Sequence, residues 1–245
     1  MSNALALPIL KDLVPAGFGF GTNLLVEFES QSLWYETSLT IAGNALKAGI
    51  RTDYHTLQHF PNEVAGALEK LGLDVRKLRE EGMLGIIDSY TVQSGFGAPK
   101  ISDTGRSHYQ AQSVKLSDWS IQASVEMKTG SPDQEKRRLH IDDNTGVLLQ
   151  YNDEKTLIDF WRTRAIPISR SRELAFMHSL VIGTASDSFY KQFEALCDGI
   201  IDLKTQETAG EIEHLVRVRA MRGRPYDSRW HKLRLLDSGE VALAE

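Results

Sequence analysis

The chain has little of what would cross-link it, export it or anchor it in a membrane. It contains one cysteine, Cys197, in 245 residues. A single cysteine excludes an intramolecular disulfide and is typical of a reducing cytosol. No apolar run approaches the roughly 20 residues of a membrane-spanning helix, and residues 1–17 lack the basic start of a signal peptide. We therefore expect a cytoplasmic protein that has no membrane contact.

An excess of positive charge is also absent, except in one segment. The formal net charge is −5, yet residues 217–234 carry +6, which leaves −11 for the rest of the chain. Such a basic segment suits an acidic protein or a nucleic acid. It equally suits the solvated face of a sheet, which is the interpretation that we favour. Nucleic acid therefore stays a secondary hypothesis for the partner.

The most informative absence is that of a phosphate-binding loop. Leu24–Val26 predict a buried strand, and the apolar residues from Leu33 to Leu46 predict a helix that stops near Gly49. Nucleotide-binding α/β proteins place G-x-x-x-x-G-K-[S/T] between such a strand and helix. The segment at that position reads Phe28, Glu29, Ser30, Gln31, Ser32, Leu33, Trp34 and Tyr35. It has no glycine. Trp34 stands in place of the lysine, and Tyr35 stands in place of the serine or threonine.

These replacements remove the chemistry that holds a triphosphate. Glycines let backbone amides close around phosphate oxygens, the lysine neutralises charge, and the hydroxyl holds magnesium. Glu29 adds a negative charge that repels phosphate. Gly17, Gly19 and Gly21 do not substitute, because they precede the strand. An ordinary turn that never bound a nucleotide could have the same residues. This segment alone therefore does not distinguish such a turn from a phosphate loop that has lost its binding residues.

Strand and helix patterns alternate along most of the chain. We predict strands at 51–57, 84–90, 138–142, 173–183 and 199–203. We predict helices that begin at Pro61 and after Ser186, and a short helix at 73–81. A further helix is predicted at 153–164, and it should extend no further than Pro167. This order indicates one α/β domain, residues 1–245, whose mainly parallel sheet is flanked by helices.

Two segments are harder to assign. Residues 93–112 predict a long loop. The pattern of residues 114–128 fits a strand or a helix, and we predict a helix because the strand order requires a crossover. Short strand patterns between turn residues in 211–244 predict an antiparallel extension of the sheet.

Three stretches together resemble the KaiC-like branch of the RecA superfamily, a branch common in archaea. The resemblance covers about residues 13–243. The stretches are ALKAG at 45–49, RLHIDDNTGVLLQYNDEKTLIDFWR at 138–162, and FEALCDGIIDLKTQETAGEIEHLVRVRAMRGRPYDSRWHKL at 193–233, the most specific of the three. The resemblance implies a RecA-like P-loop NTPase fold with a C-terminal antiparallel extension.

The resemblance also assigns functional positions, most of which have changed. Residues 28–35 occupy the phosphate loop as a degenerate Walker A segment. The carboxylates that activate water fall at Gln58 and His59, of which Gln58 cannot accept a proton. The acidic end of the fourth strand survives as Asp142 and Asp143. Of the lysine and arginine that reach a neighbouring subunit, the lysine falls at Ala220, and only Arg222 and the nearby Arg224 keep the charge.

These assignments predict no catalytic residue and no bound cofactor, neither ATP nor magnesium. Our leading hypothesis is a non-catalytic regulatory or scaffold subunit, a pseudo-ATPase in signal transduction, that oligomerises with itself or with an active paralogue. A second hypothesis is a working ATPase with a rebuilt pocket. A third is a single-strand DNA binder that uses Trp161 and four arginines. The arginines are Arg162, Arg164, Arg170 and Arg172.

Other reactive residues have simpler explanations. Five residues have zinc-binding chemistry, but His55 and His59 lack the spacing of paired helical ligands, so we expect no metal and interpret the set as hydrogen-bonded strand ends. The five are His55, His59, His140, Asp142 and Asp143. Serine, histidine and aspartate are present without a G-x-S-x-G turn. Cys197 fits a core position rather than a reactive one.

Overall fold

The computed structural model describes residues 4–94, 108–110, 115–116 and 137–244. The strands are β1 (Ala4–Leu5), β2 (Phe18–Gly19), β3 (Asn23–Phe28), β4 (Arg51–Thr56), β5 (Leu84–Asp88), β6 (His108–Gln110), β7 (Arg138–Asp142), β8 (Leu174–Val181), β9 (Gly199–Thr208), β10 (Glu211–Met221), β11 (His231–Leu235) and β12 (Val241–Leu243). The helices are α1 (Leu10–Leu13), α2 (Trp34–Lys47), α3 (Pro61–Lys70), α4 (Val75–Glu80), α5 (Tyr90–Ser94), α6 (Glu154–Phe160), α7 (Ile166–Ser171) and α8 (Asp187–Leu196), with a 3-10 helix at Thr145–Gln150 and a π turn at Trp161–Ala165.

Ten of these strands form one sheet in the order β12-β11-β10-β9-β3-β8-β7-β4-β5-β6. The seven strands from β9 to β6 run parallel, and β10, β11 and β12 extend the sheet antiparallel. The predicted α/β fold with its antiparallel extension is therefore confirmed. Parallel strands end at a common edge, so β3, β4, β5 and β7 bring their carboxyl ends to one side of the sheet.

Each face of the sheet carries its own apolar core, as strand alternation requires. On one face, Val26, Tyr54 and Ile141 pack beneath α2 and α3. On the other, Leu25 and Phe176 pack with Phe193 of α8. Because successive residues face opposite sides, the polar residues of β4 and β7 that share a face with Leu25 meet each other inside the second core.

Several boundaries differ from the prediction. The strand predicted to reach residue 90 ends at Asp88, because Tyr90 begins α5. Residues 93–112, predicted as a loop, contain the end of α5 and the short strand β6. The helix predicted at 114–128 lies outside the described residues apart from 115–116, where Leu116 is buried. β9 continues to Thr208 and turns into β10 through Ala209 and Gly210, both at positive φ.

The helix predicted to end by Pro167 instead continues to Ser171. Helix α6 passes into the π turn, and Pro167 then lies in the first turn of α7. Proline is tolerated there because its missing amide hydrogen belongs to a helix start. The wider π turn changes the rotational position of the backbone just before the proline ring. The helix can therefore continue past a residue that usually ends one.

Candidate functional site

The turn between β3 and α2 is fixed to the neighbouring strand β9. The backbone amide of Glu29 donates to the carbonyl of Leu203 at 3.1 Å, and that of Ser32 donates to the carbonyl of Glu29 at 2.9 Å. The Glu29 carboxylate accepts from the amide and the hydroxyl of Thr205 at 2.8 and 2.7 Å. Glu29 therefore closes the turn against the sheet.

Trp34, which the resemblance assigns to the position of the phosphate-loop lysine, is directed inward. Its side chain is 2% exposed, and its indole Nε1 donates to the backbone carbonyl of Asp143 at 2.8 Å. The ring of Phe28 lies 6.0 Å away, centroid to centroid. The indole thus bridges the start of α2 and the end of β7, two strands away from β3 in the sheet.

Tyr35 and His59 form the next layer of this edge. Their rings stack at 3.7 Å with an interplanar angle of 16°. His59 Nδ1 lies 2.9 Å from Asp143 Oδ2. Burial, reinforced by the negative charge of Asp143, raises the pKa of the Tyr35 phenol well above its ordinary value. Tyr35 is therefore a neutral aromatic surface rather than an anion at physiological pH.

The Asp143 carboxylate accepts hydrogen bonds from several groups at the end of β4. It accepts from the amides of Leu57 at 2.8 Å and Gln58 at 3.2 Å, and from the Thr56 hydroxyl at 3.3 Å, in addition to His59. The residue is 2% exposed. One of these contacts is to Oδ1 and three are to Oδ2, and together they tie the end of β4 to the end of β7.

The Asp142 carboxylate is surrounded by imidazoles. Oδ1 lies 2.9 Å from His55 Nδ1 and 3.0 Å from His140 Nε2, whereas Oδ2 lies 2.9 Å from His178 Nδ1 and 3.2 Å from the Thr145 hydroxyl. Because a carboxylate only accepts, each facing ring nitrogen carries its proton. Asp142 is the common acceptor of three strands, since the histidines come from β4, β7 and β8.

The charge state of this cluster follows from its contacts. Burial opposes ionisation of Asp142, but the facing histidines outweigh it and hold its pKa well below the ordinary value. Burial lowers the pKa of His140, so its neutral form is favoured. His178 was not among the sequence candidates. The alternation of β8, which puts His178 on the face of Phe176, was the only signal that could have found it.

Of the five residues with zinc-binding chemistry, the structure brings together only some. His55, His140 and Asp142 converge, whereas His59 and Asp143 form a separate pair. Gln58 is exposed at the mouth of an open pocket of about 390 Å³. The pocket is lined by Leu57, Gln58, His59, Tyr90, Gln93, Val147 and Gln150.

The two arginines of the C-terminal hairpin lie at the opposite edge of the sheet. β10 ends at Met221 beside Gly199, the first residue of β9, whereas the turn at 29–33 follows the carboxyl end of β3. Arg222 is exposed and donates to the Ala195 carbonyl at 2.8 Å, and Arg224 donates to the Gly17 carbonyl at 2.9 Å. Neither arginine is placed to serve this chain's own cleft.

The aromatic and basic residues proposed for nucleic acid do not form a common platform. Trp161 is 4% exposed and packs edge-on against His178 and Phe193, so its ring is not accessible for base stacking. Arg162 lies 3.5 Å from Asp159, and Arg170 lies 3.5 Å from Asp198. Arg164 is exposed and Arg172 half-buried.

The single cysteine of the chain is a core residue, as predicted. Cys197 is buried at the end of α8, and burial raises the pKa of its thiol far above the ordinary value. No described helix combines the length and the apolar character that crossing a bilayer requires.

Together, the parallel sheet, its antiparallel extension and the strand–turn–helix at its carboxyl edge define a RecA-like domain of the P-loop NTPase class. The chain belongs to the KaiC ATPase family, whose model, described as "ATPase: KaiC", matches residues 41–243. The match begins after the turn at 28–35.

Two archaeal relatives are similar in sequence over most of the chain. They are the UPF0273 proteins PF1931 of Pyrococcus furiosus and PH0284 of Pyrococcus horikoshii. Each is 26% identical over 237 residues, which covers 94% of this chain and 83% of the relative.

Two solved structures share the fold at lower identity. The KaiC-like protein PH0186 of Pyrococcus horikoshii has a TM-score of 0.70 at 14% identity, and all of each chain is covered. The flagellar accessory protein FlaH of Methanocaldococcus jannaschii has a TM-score of 0.73 at 13% identity, over 99% of this chain and 98% of FlaH.

Proposed function

We propose that this KaiC-like domain neither binds nor hydrolyses ATP and acts as a regulatory or scaffold subunit through protein–protein contacts. One observation carries the proposal. Trp34 stands at the lysine position of the phosphate loop, with its indole buried and hydrogen-bonded to the Asp143 carbonyl. The space that a triphosphate needs is thereby used for packing within the domain.

Displacing that indole is costly. A buried tryptophan removes about 150–250 Å² from water, which corresponds to roughly 4–6 kcal/mol at about 25 cal/mol per Å². The hydrogen bond to Asp143 adds about 1 kcal/mol. In an active phosphate loop, a lysine and converging amides supply the compensating attraction to phosphate. Here Trp34 replaces the lysine, and the anion Glu29 lies in the same turn.

The side chains at the positions that would hold magnesium and activate water make other contacts within the domain. Magnesium prefers an octahedral shell that combines a carboxylate with several waters. The Asp142 carboxylate instead faces imidazoles, which are poor partners for magnesium, and the Asp143 carboxylate accepts hydrogen bonds from protein groups on each oxygen. At the position of the catalytic carboxylates, Gln58 is not a base, and His59 is stacked on Tyr35 and bonded to Asp143.

A role through contacts is supported by two features of the antiparallel extension. Arg222 is exposed at the edge remote from the domain's own cleft, where it suits the phosphates of an adjacent, active subunit. Ile212 and Leu235 are large apolar residues with 64% and 47% exposure. Continuing the β10–β11 register, in which His214 pairs with Leu233, places them opposite each other as one apolar patch.

A turnover assay tests the catalytic half of this proposal. Purified protein with ATP and magnesium is expected to release phosphate at the rate of the protein-free blank, while an active KaiC-like ATPase serves as the positive control. Phosphate release that scales with protein concentration, and that is lost in the Asp142→Asn variant, would instead establish a working ATPase with a rebuilt pocket.

A mixing assay tests the regulatory half. The protein is added to an active KaiC-like relative, and the ATPase rate is expected to change with a saturable dependence on concentration. Arg222→Ala should lose that effect. Arg229→Ala is the matched control, because Arg229 is an exposed arginine of the same hairpin that pairs with Asp227 at 2.6 Å. An unchanged rate with the wild-type protein, or equal effects of the two variants, counts against the role in trans.

A further inference from the structure

Two adjacent strands bring together a compact set of metal-ligating atoms beside the cleft. His55 Nδ1, His140 Nε2 and Asp142 Oδ1 lie within 4.8 Å of one another. They come from the adjacent parallel strands β4 and β7, near their carboxyl ends. Of the seven histidines in the chain, His55, His140 and His178 contact this one carboxylate.

We propose that His55, His140 and Asp142 bind a divalent transition metal, with zinc as the expected ion. Two imidazoles and a carboxylate form a donor set that suits zinc and iron(II) rather than magnesium or calcium, which prefer all-oxygen shells. Three protein ligands leave a fourth position for water or another ligand.

The distances fit this occupant with small adjustments. Tetrahedral zinc with bonds of about 2.0–2.1 Å separates its ligand atoms by about 3.3 Å. The two ring nitrogens lie 2.9 and 3.0 Å from Asp142 Oδ1. Binding the ion would therefore move the ring nitrogens a few tenths of an ångström from Oδ1, with each neutral ring carrying its proton on the nitrogen that faces away from the ion.

The surroundings orient the ligands as metal sites require. Metal-binding imidazoles usually have a hydrogen-bond partner on the other ring nitrogen. His55 Nε2 has one, the Ser89 hydroxyl at 2.7 Å. The second Asp142 oxygen is held by His178 at 2.9 Å and Thr145 at 3.2 Å, which directs Oδ1 toward the two ligand nitrogens.

Burial and access are balanced in this cluster. His55 and Asp142 are 2% and 4% exposed, so a bound ion would be protected from water. His140 keeps partial exposure and gives a route for the ion.

This proposal is independent of the loss of ATP chemistry. A zinc ion held here would use Asp142 together with imidazoles, on the sheet face of Leu25, whereas the Trp34 indole packs on the other face. Metal binding and nucleotide binding are therefore separate measurements, and one result does not decide the other.

The test is the metal content of tag-free protein, together with titration of the metal-stripped protein by cobalt(II), whose visible absorption reports coordination. We expect about one zinc or iron per chain as purified, and a saturable cobalt(II) spectrum displaced by zinc. The variants His55→Gln and His140→Gln should each weaken the cobalt(II) affinity at least about tenfold. His59→Gln is the matched control, since His59 bonds to the neighbouring Asp143.

Glutamine keeps an amide donor for Asp142, so these variants test the metal rather than the hydrogen bond. Circular dichroism confirms that each variant folds, and zinc should raise the melting temperature of the wild type by a few degrees but not that of His140→Gln. Protein without a bound transition metal, with no saturable cobalt(II) spectrum, overturns the proposal. So does equal affinity in His140→Gln and His59→Gln.

Discussion

Trp34 joins two elements that lie far apart in the sequence. It opens α2, and its Nε1 donates to the carbonyl of Asp143, 109 residues further along the chain. We expect Trp34→Ala to lower the free energy of unfolding by about 3–5 kcal/mol, because it empties a core position. Trp34→Phe should lose less, since it keeps part of the packing. Urea denaturation of the three proteins measures both values, and a loss below about 1 kcal/mol in Trp34→Ala would contradict the packing role.

Glu27 makes a second prediction at the residue scale. Burial raises its pKa to about 7, Glu194 and Asp202 add to this, and Arg219 partly opposes it. The native state therefore holds a proton that the unfolded chain releases near pH 4.5. The stability from this proton is complete below about pH 4.5 and is lost as the pH rises through about 7.

Relative to Glu27→Gln, the wild type should lose about 1–3 kcal/mol of unfolding free energy between pH 5 and pH 8. Chemical denaturation at a series of pH values gives the difference. Glu69→Gln, at an exposed position, is the control and should follow the wild type. Parallel curves for Glu27→Gln and the wild type would show that Glu27 titrates alike in both states.

Cys197 should be inert in the folded protein. Its thiol is buried, and burial raises its pKa, so little thiolate forms. A disulfide reagent at pH 8 should therefore label the native protein very slowly and one equivalent after denaturation. Rapid labelling of native protein would place the thiol at an accessible site.

At the scale of elements, the apolar patch of Ile212 and Leu235 makes a prediction about association. Both side chains are exposed, at 64% and 47%. Ile212→Glu should weaken binding to a copy of this chain or to an active relative at least about tenfold, with little change in stability. Glu207→Gln on the paired strand is the control, since it also changes the charge by one unit. Analytical ultracentrifugation measures the effect, and equal association constants would remove the patch from the interface.

The spacing of apolar residues predicted the helices and strands well where it followed a single helical or strand period. The strands at 51–57, 138–142 and 173–183 were found to within two residues. The helix through Pro167 was missed, because the π turn that accommodates proline has no signal in apolar spacing. The acidic strand end and two of its imidazole partners, His55 and His140, were among the sequence candidates, but His178 was not, since it joins them only when β8 lies beside β7.

At the scale of the whole molecule, the order of strands and helices was enough to predict the parallel sheet and its antiparallel extension. Sequence also predicted the turn between β3 and α2. It could not show that the Trp34 indole is directed inward or that Glu29 is fastened to Thr205, because these contacts depend on tertiary neighbours. The domain keeps the family fold, while Glu29, Trp34 and His59 at the cleft bond to other parts of the same chain.

The most direct test of this account is an equilibrium titration of the protein with a fluorescent ATP analogue in the presence of magnesium. Because we propose that the Trp34 indole fills the phosphate position, we expect no saturable signal up to about 1 mM nucleotide, which means a binding free energy weaker than about −4 kcal/mol. Saturable binding at micromolar nucleotide, displaced by unlabelled ATP, would contradict it.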